Sequence, residues 1–152
     1  MTGVVVADPL AEPIRVTRFH GDKAAAISFS FDDGSQNQVD VAVPILDAYG
    51  YKATFFVIPG LTREKKTDPL LADASRSGNG GVSWEEWRVV AQHGHEIGNH
   101  TLSHATLTII SGKQLDREVD GSARLIAEKL GQVPLTFAYP YNIFVAACDG
   151  SC

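Results

Sequence analysis

Strand-like and helix-like stretches alternate along this chain in the order β-α-β-loop-α-β-α-β. That alternation limits the fold more than any single motif does. Ala24 to Phe31 runs with period two, Ile27, Phe29 and Phe31 on one side and Ser28 and Ser30 on the other. Asp40 is placed to cap a helix reaching about Tyr49, with Pro44 in its first turn and Gly50 closing it. Lys52 to Ile58 is a nearly continuous apolar and β-branched run, the pattern of a strand buried on both faces. A polar loop with glycines at 78, 80 and 81 fills 61–82, long enough to act as a lid or a binding loop or to be a plain surface excursion. Ser83-Trp84-Glu85-Glu86 reads as a capping box, opening a helix that Gly94 stops. His95 to His100 gives a third strand. Ser111-Gly112-Lys113-Gln114 is a second capping box, followed by Leu115, Val119, Ala123, Ile126 and Leu130 as one apolar helical stripe ending at Gly131. Leu135 to Tyr139 gives a fourth strand before Pro140.

Strands that alternate with helices pair in parallel through right-handed crossovers, so the fold class is α/β, an open sheet or a barrel. The length of 152 residues suits a single domain with one hydrophobic core. The net charge of −5 and the lack of a long basic run argue against nucleic acid or an anionic membrane as partner. No apolar run is as long as a membrane span. Met1 to Val16 lacks the basic and apolar regions of a signal peptide, which gives a cytoplasmic expectation, or a secreted one if a leader has been removed. Cys148 and Cys152 sit together near the C-terminus and read as incidental or as a tail disulfide.

In parallel α/β folds, chemistry collects in the loops at the carboxyl ends of the strands. Three polar motifs fall there. Asp32-Asp33-Gly34 follows the first strand, His100-Thr101-Leu102-Ser103-His104 the third, and Pro140-Tyr141 the fourth. Each has an ordinary reading: Asp-Asp-Gly is common turn chemistry, and two histidines four apart are often surface residues. Their convergence on one rim is what points to a site. Asp33, His100 and His104 supply three ligands and leave a coordination position open, as in catalytic zinc sites. Asp32, on the opposite strand parity from Asp33, is then available as general base toward water. The backbone N–H of Tyr141 is a candidate oxyanion donor, and Pro140 and Tyr141 are candidates to meet substrate. Trp84 and Trp87 read as core anchors, His95 as a hydrogen-bonded core residue, and His20 and His93 as surface residues.

These residues resemble a known family. Ser-Phe-Asp-Asp-Gly at 30–34 resembles the first motif of the polysaccharide deacetylases, the NodB-homology domain of carbohydrate esterase family four. His-Thr-Leu-Ser-His at 100–104, entered through Gly-His-Glu-Ile-Gly-Asn at 94–99, is similar to the second. Phe-Ala-Tyr-Pro-Tyr-Asn at 137–142 is similar to the third, and Lys-Ala-Thr-Phe-Phe-Val at 52–57 to the family's second strand. The resemblance covers 24–142, leaving 1–23 as a leading segment and 143–152 as a tail of the single domain. It implies a partial, distorted (β/α) barrel whose C-terminal strands are missing, and metal-assisted removal of acetyl groups from a carbohydrate polymer. Chitin, peptidoglycan and O-acetylated xylan are the substrates it suggests. It implies the same roles for Asp32, Asp33, His100, His104 and Tyr141, and a divalent metal: zinc first, with cobalt, nickel or manganese as alternatives.

The chain departs from the family at three points. Ala138 stands where many members carry an arginine oriented on the catalytic aspartate, so another group must tune Asp32. Asn142 replaces a glycine. The family's later aspartate–tryptophan and Leu-x-His motifs, the last bearing the general acid, have no counterpart before residue 152. A parallel edge would then be left open, and a second copy of the chain is one candidate to cover it. The competing readings are a metal- and glycan-binding remnant without the acid, and an amidase of related fold acting on small amides or cyclic ureides.

Overall fold

The computed structural model describes residues 16–71 and 80–143. The leading residues to 15, the loop stretch 72–79, the side chain of His20 and the tail with Cys148 and Cys152 lie outside the described residues, and the expectations for them with it. Three strands, β1 (Ser30–Phe31), β2 (Thr54–Val57) and β3 (Glu96–Asn99), form one parallel sheet in the order β1-β2-β3. The central strand β2 pairs Thr54 with Ser30 on one side and Glu96 on the other. Sequential order is the winding of a (β/α) barrel, whereas a doubly wound sheet reverses order at a switch point. The fold is therefore a partial (β/α) barrel.

Helices pack against one face of the sheet. α1 (Val43–Ala48) follows a π-helical turn at Gln38–Ala42. α2 spans Trp84–Gln92. α3 (Lys113–Asp116) continues through a second π-helical turn, Arg117–Gly121, into α4 (Ser122–Leu130). The core gathers Phe55, Val57 and Ile97 from the sheet against Val43 and Leu46 of α1, Trp84, Trp87 and Val90 of α2, and Ile126 of α4. The two tryptophans are the anchors that their spacing suggests: both are fully buried, and Trp87 packs 5.6 Å from Phe55 between ring centres. The start of α2 is also as expected. Ser83 Oγ accepts the Glu86 N–H, and Glu86 Oε2 accepts the Ser83 N–H at 2.9 Å. The opposite face of the sheet is tied by Glu96, which accepts hydrogen bonds from the hydroxyls of Thr54 and Thr136.

Four expectations are corrected. The first strand is two residues long rather than running from Ala24. The Thr54 N–H bond to the Phe29 carbonyl is the outermost link, and Ile27 is 73% exposed. Alternation alone does not make a strand when β1 is at the sheet edge and has one neighbour. Asp40 does not cap a helix but lies inside the π turn. Pro44 has no N–H to return, and its ring crowds the carbonyl four residues back. The chain widens just ahead of it, with the Val43 N–H bonding the Gln38 carbonyl. The Ser111 capping box is not formed, because Gly112, at φ 55°, takes the cap position without a side-chain bond. The fourth strand is a single parallel bridge, Asn99 to Phe137, flanked by two 3.0 Å backbone bonds on Asn99.

The helical stripe is partly as expected. Ile126 is fully buried, but Leu115 and Val119 are only half-buried and line an open cleft with Phe137 and Tyr139. The π turn between them shifts the register, so Glu118 and Ser122 face inward instead.

Candidate metal centre

Three turns at the carboxyl ends of the strands meet as the topology requires. Asp33 follows β1, His100 and His104 follow β3, and Tyr141 follows the Phe137 bridge. Ligand atoms of Asp33, His100 and His104 lie within 4.8 Å of one another. Asp33 Oδ1 stands 3.1 Å from His104 Nε2 and 3.4 Å from His100 Nε2. Asp33 Oδ1 is buried and accepts no hydrogen bond. His100 Nδ1 lies 2.9 Å from the Ala138 carbonyl, which can only accept, so Nδ1 carries the proton and donates. In the neutral ring this leaves a lone pair on Nε2, aimed at a carboxylate oxygen that also has none to give. Two lone-pair centres facing without a proton between them fit a cation.

Burial holds His104 below its ordinary value of 6.5, while the charge of Asp33 pulls it up, His100 pushes it down and Asp32 pulls it up. The net direction favours the neutral ring, the form that ligates metal. Asp32 is exposed beside this group, close enough for its charge to act on His104 but outside the three-residue cluster.

Backbone strain concentrates here. Six described non-glycine residues have positive φ, and five of them lie in the three motifs: Asp33 at 75°, Thr101 at 66°, His104 at 62°, Tyr141 at 62° and Asn142 at 55°. Such conformations persist where surrounding contacts over-determine them, and they gather at functional sites. The contacts are visible. Gln38 Nε2 donates to the Asp32 carbonyl, and the Gly80 N–H donates to the Asp33 carbonyl at 2.6 Å. The far end of the 61–82 loop therefore packs beside the Asp-Asp turn. The Gly60 N–H donates to the Leu102 carbonyl at 2.8 Å, and a Cβ on Gly60 would come within 2.4 Å of that oxygen, so only glycine fits.

Asn99 organises the histidine turn from below. Its Oδ1 accepts the Thr101 N–H at 3.0 Å and the Ser122 hydroxyl at 2.7 Å, and its Nδ2 donates to the Val119 carbonyl at 3.0 Å. Tyr141 is 59% exposed and lays its ring on His104, 4.5 Å between centres. Pro140 is fully buried, so its ring is held inside while Tyr141 is presented. His95 is buried, accepting the Ala53 N–H at Nδ1 and facing Asp47 at Nε2, and His93 is at the surface with Nδ1 2.7 Å from Asp47. Both are as the sequence suggested.

Reading the sequence missed Gln38, Asn99, Ser103 and Glu118. Asn99 and Ser103 lie inside the 94–104 motif without a role assigned to them there, and the signal for Gln38 and Glu118 is polarity at buried helical positions.

A family model described as polysaccharide deacetylase matches residues 20–147. A gellan lyase from Bacillus sp. is 31% identical over 122 residues, 80% of this chain but 4% of that protein. The peptidoglycan-N-acetylglucosamine deacetylase PgdA of Listeria monocytogenes is 27% identical over 117 residues, 76% of this chain and 21% of its own. Among solved structures, the Streptococcus pyogenes deacetylase PplD in complex with acetate superposes with a TM-score of 0.65 at 27% identity, covering 78% of this chain and 47% of that one. The chain spans less than half the length of each of these proteins.

Proposed function

The chain belongs to the polysaccharide deacetylase family, and from that premise we propose that it hydrolyses the acetamide of N-acetylated amino sugars in a glycan polymer. Asp33, His100 and His104 hold a divalent metal, zinc first, with cobalt, nickel or manganese able to take its place. The observation that carries this reading is the convergence of His104 Nε2 and His100 Nε2 on one buried oxygen, Asp33 Oδ1, at 3.1 and 3.4 Å. Open three-ligand sites of two histidines and a carboxylate are catalytic rather than structural.

When bound, such an ion supplies Lewis acidity, polarising the acetyl carbonyl and acidifying water. The chain's own residues do the rest. Asp32, exposed and outside the ligand set, takes the proton of the attacking water as the C–O bond forms. It returns that proton to the amine nitrogen as the C–N bond breaks, releasing acetate and the free amino sugar. The Tyr141 backbone, fixed in its left-handed turn by buried Pro140, presents its N–H to the oxygen on which charge develops. The exposed Tyr141 ring, anchored on His104, offers an apolar face to the acetyl group or the sugar. Gln38 and Gly80 keep the Asp32-Asp33 peptides from rotating. The substrate class follows the relative named for N-acetylglucosamine.

The test combines metal analysis of the purified chain with acetate release from N-acetylglucosamine oligomers and peptidoglycan. Roughly one equivalent of metal with acetate release is expected. Protein that binds metal and glycan but releases no acetate overturns the catalytic reading in favour of a binding protein.

A further inference from the structure

We propose that Glu118 is a positioning residue for His104, acting through Ser103; the inference rests on the metal-ligand reading above. Glu118 is buried, at 7% exposure, and lies outside the ligand cluster. Its carboxylate grips one residue with both oxygens. Oε2 accepts the Ser103 N–H at 2.9 Å, and Oε1 accepts the Ser103 hydroxyl at 2.8 Å. Its backbone carbonyl accepts the Leu102 N–H at 3.0 Å. Glu118 thus binds the two residues between Thr101 and His104, whose own backbones are both left-handed.

A turn strained at both ends relaxes unless its middle is held. Glu118 can hold it because it sits in the π-helical turn Arg117–Gly121. In such a turn carbonyls depart from the regular ladder, and here those of Glu118 and Val119 accept from Leu102 and Asn99. Burying a carboxylate is unfavourable unless it is well hydrogen-bonded. Its retention at this position is explained by two convergent donors on the residue that immediately precedes His104. The ring of His104 must then meet Asp33 Oδ1 and the Tyr141 ring together, which leaves little freedom in the turn.

The experiment measures cobalt affinity by chelator competition, and the ligand-field absorption of the cobalt-loaded chain, for the parent, Glu118→Gln, Glu118→Ala and Ser103→Ala. Glutamine keeps an acceptor for the Ser103 N–H and can donate to its hydroxyl, so Glu118→Gln should stay within about threefold of the parent. Glu118→Ala should weaken cobalt by about 10–100-fold, the usual loss on removing outer-shell support, and change the absorption band. Ser103→Ala should lie between the two. A role in stability alone would lower the melting temperature of Glu118→Ala and leave its affinity and spectrum at parental values, which overturns the proposal. If Glu118→Ala does not fold, parental affinity and spectrum in Ser103→Ala overturn it equally. A parent that binds no cobalt overturns the metal reading itself, and this inference falls with it.

Discussion

His100 Nε2 faces Asp33 Oδ1 across 3.4 Å while its other nitrogen is bonded to the Ala138 carbonyl. The two residues come from turns 67 positions apart in the chain, and the carbonyl that fixes the imidazole comes from a third. Removing either partner should therefore do more than delete a contact. Asp33→Asn replaces a carboxylate with an amide that presents either an N–H or a weaker acceptor to the two rings. Metal affinity, followed by chelator competition, should fall by at least the roughly 10–100-fold seen when outer support is cut. Unchanged affinity would remove Asp33 from the ligand set.

Asp32→Asn should separate binding from turnover. Asp32 is exposed and its charge reaches His104 without joining the cluster. The variant should keep its metal and lose about 10²–10⁴-fold in kcat, the contribution of a general base. Loss of metal together with activity would instead make Asp32 a ligand.

Asn99→Leu should destabilise the chain. The substitution strands the Thr101 N–H and the Ser122 hydroxyl in a buried setting and removes one of the two donors to the Val119 carbonyl. On the order of 3 kcal/mol is expected from chemical denaturation. A loss below about 1 kcal/mol would show that water replaces the lost partners.

Gly60→Ala probes the same turn from the other side. Its Cβ would lie 2.4 Å from the Leu102 carbonyl, forcing that residue away. Overpacking of this kind typically removes about 1–3 kcal/mol. The displaced turn should also bind metal more weakly than the parent. A melting curve and a metal titration matching the parent would contradict the close approach.

Stability should fall with acidification in two stages. Burial keeps His95 below its ordinary 6.5, against the opposing pull of Asp47, so the neutral ring is favoured in the fold. Its contribution is full above about pH 6.5 and declines as pH drops, because the unfolded chain takes up the proton first. Burial would raise Glu86, but Lys66, Ser83 and Gln36 hydrogen-bond it and hold it at about 2 rather than 4.5. Its contribution is present above about pH 4.5 and is lost as pH falls toward 2. Asp47, which Lys52 and His93 hold at about 2, contributes to the same lower stage. Glu86→Gln should therefore reduce that stage without abolishing it in a melting series from pH 7 to pH 2 and leave the upper one. An unaltered lower stage would place the acid sensitivity elsewhere.

The parts legible in the sequence are those whose cause is local or periodic. The run Lys52–Ile58 contains the central strand as expected, but it is fully buried on one face only, Phe55 and Val57 facing the core while Thr54 and Phe56 are half-buried on the other. Ser83 and Glu86 announce a helix start because both halves of the box lie within one turn. The grouping of Asp33, His100 and His104 was legible for a different reason: parallel topology sends every strand's carboxyl end to one rim, so the motifs following β1 and β3 must meet. The length of β1 was not legible, since a strand exists only where a neighbour bonds it. Nor was the cap at Ser111, since Gly112 takes the position first.

By itself, the sequence determined the alternation, the parallel sheet and the rim on which Asp33, His100 and His104 gather, because spacing and strand order are properties of the chain read in order. Tertiary structure alone decided how those residues are held. Glu118, Gly60 and Gly80 reach the motif turns through bonds to backbone groups distant in sequence, and Gln38 and Asn99 through nearer ones. Such bonds leave no period and no motif. They arise where two π-helical turns and a left-handed loop bring unpaired carbonyls and N–H groups together, and only the folded chain contains that meeting.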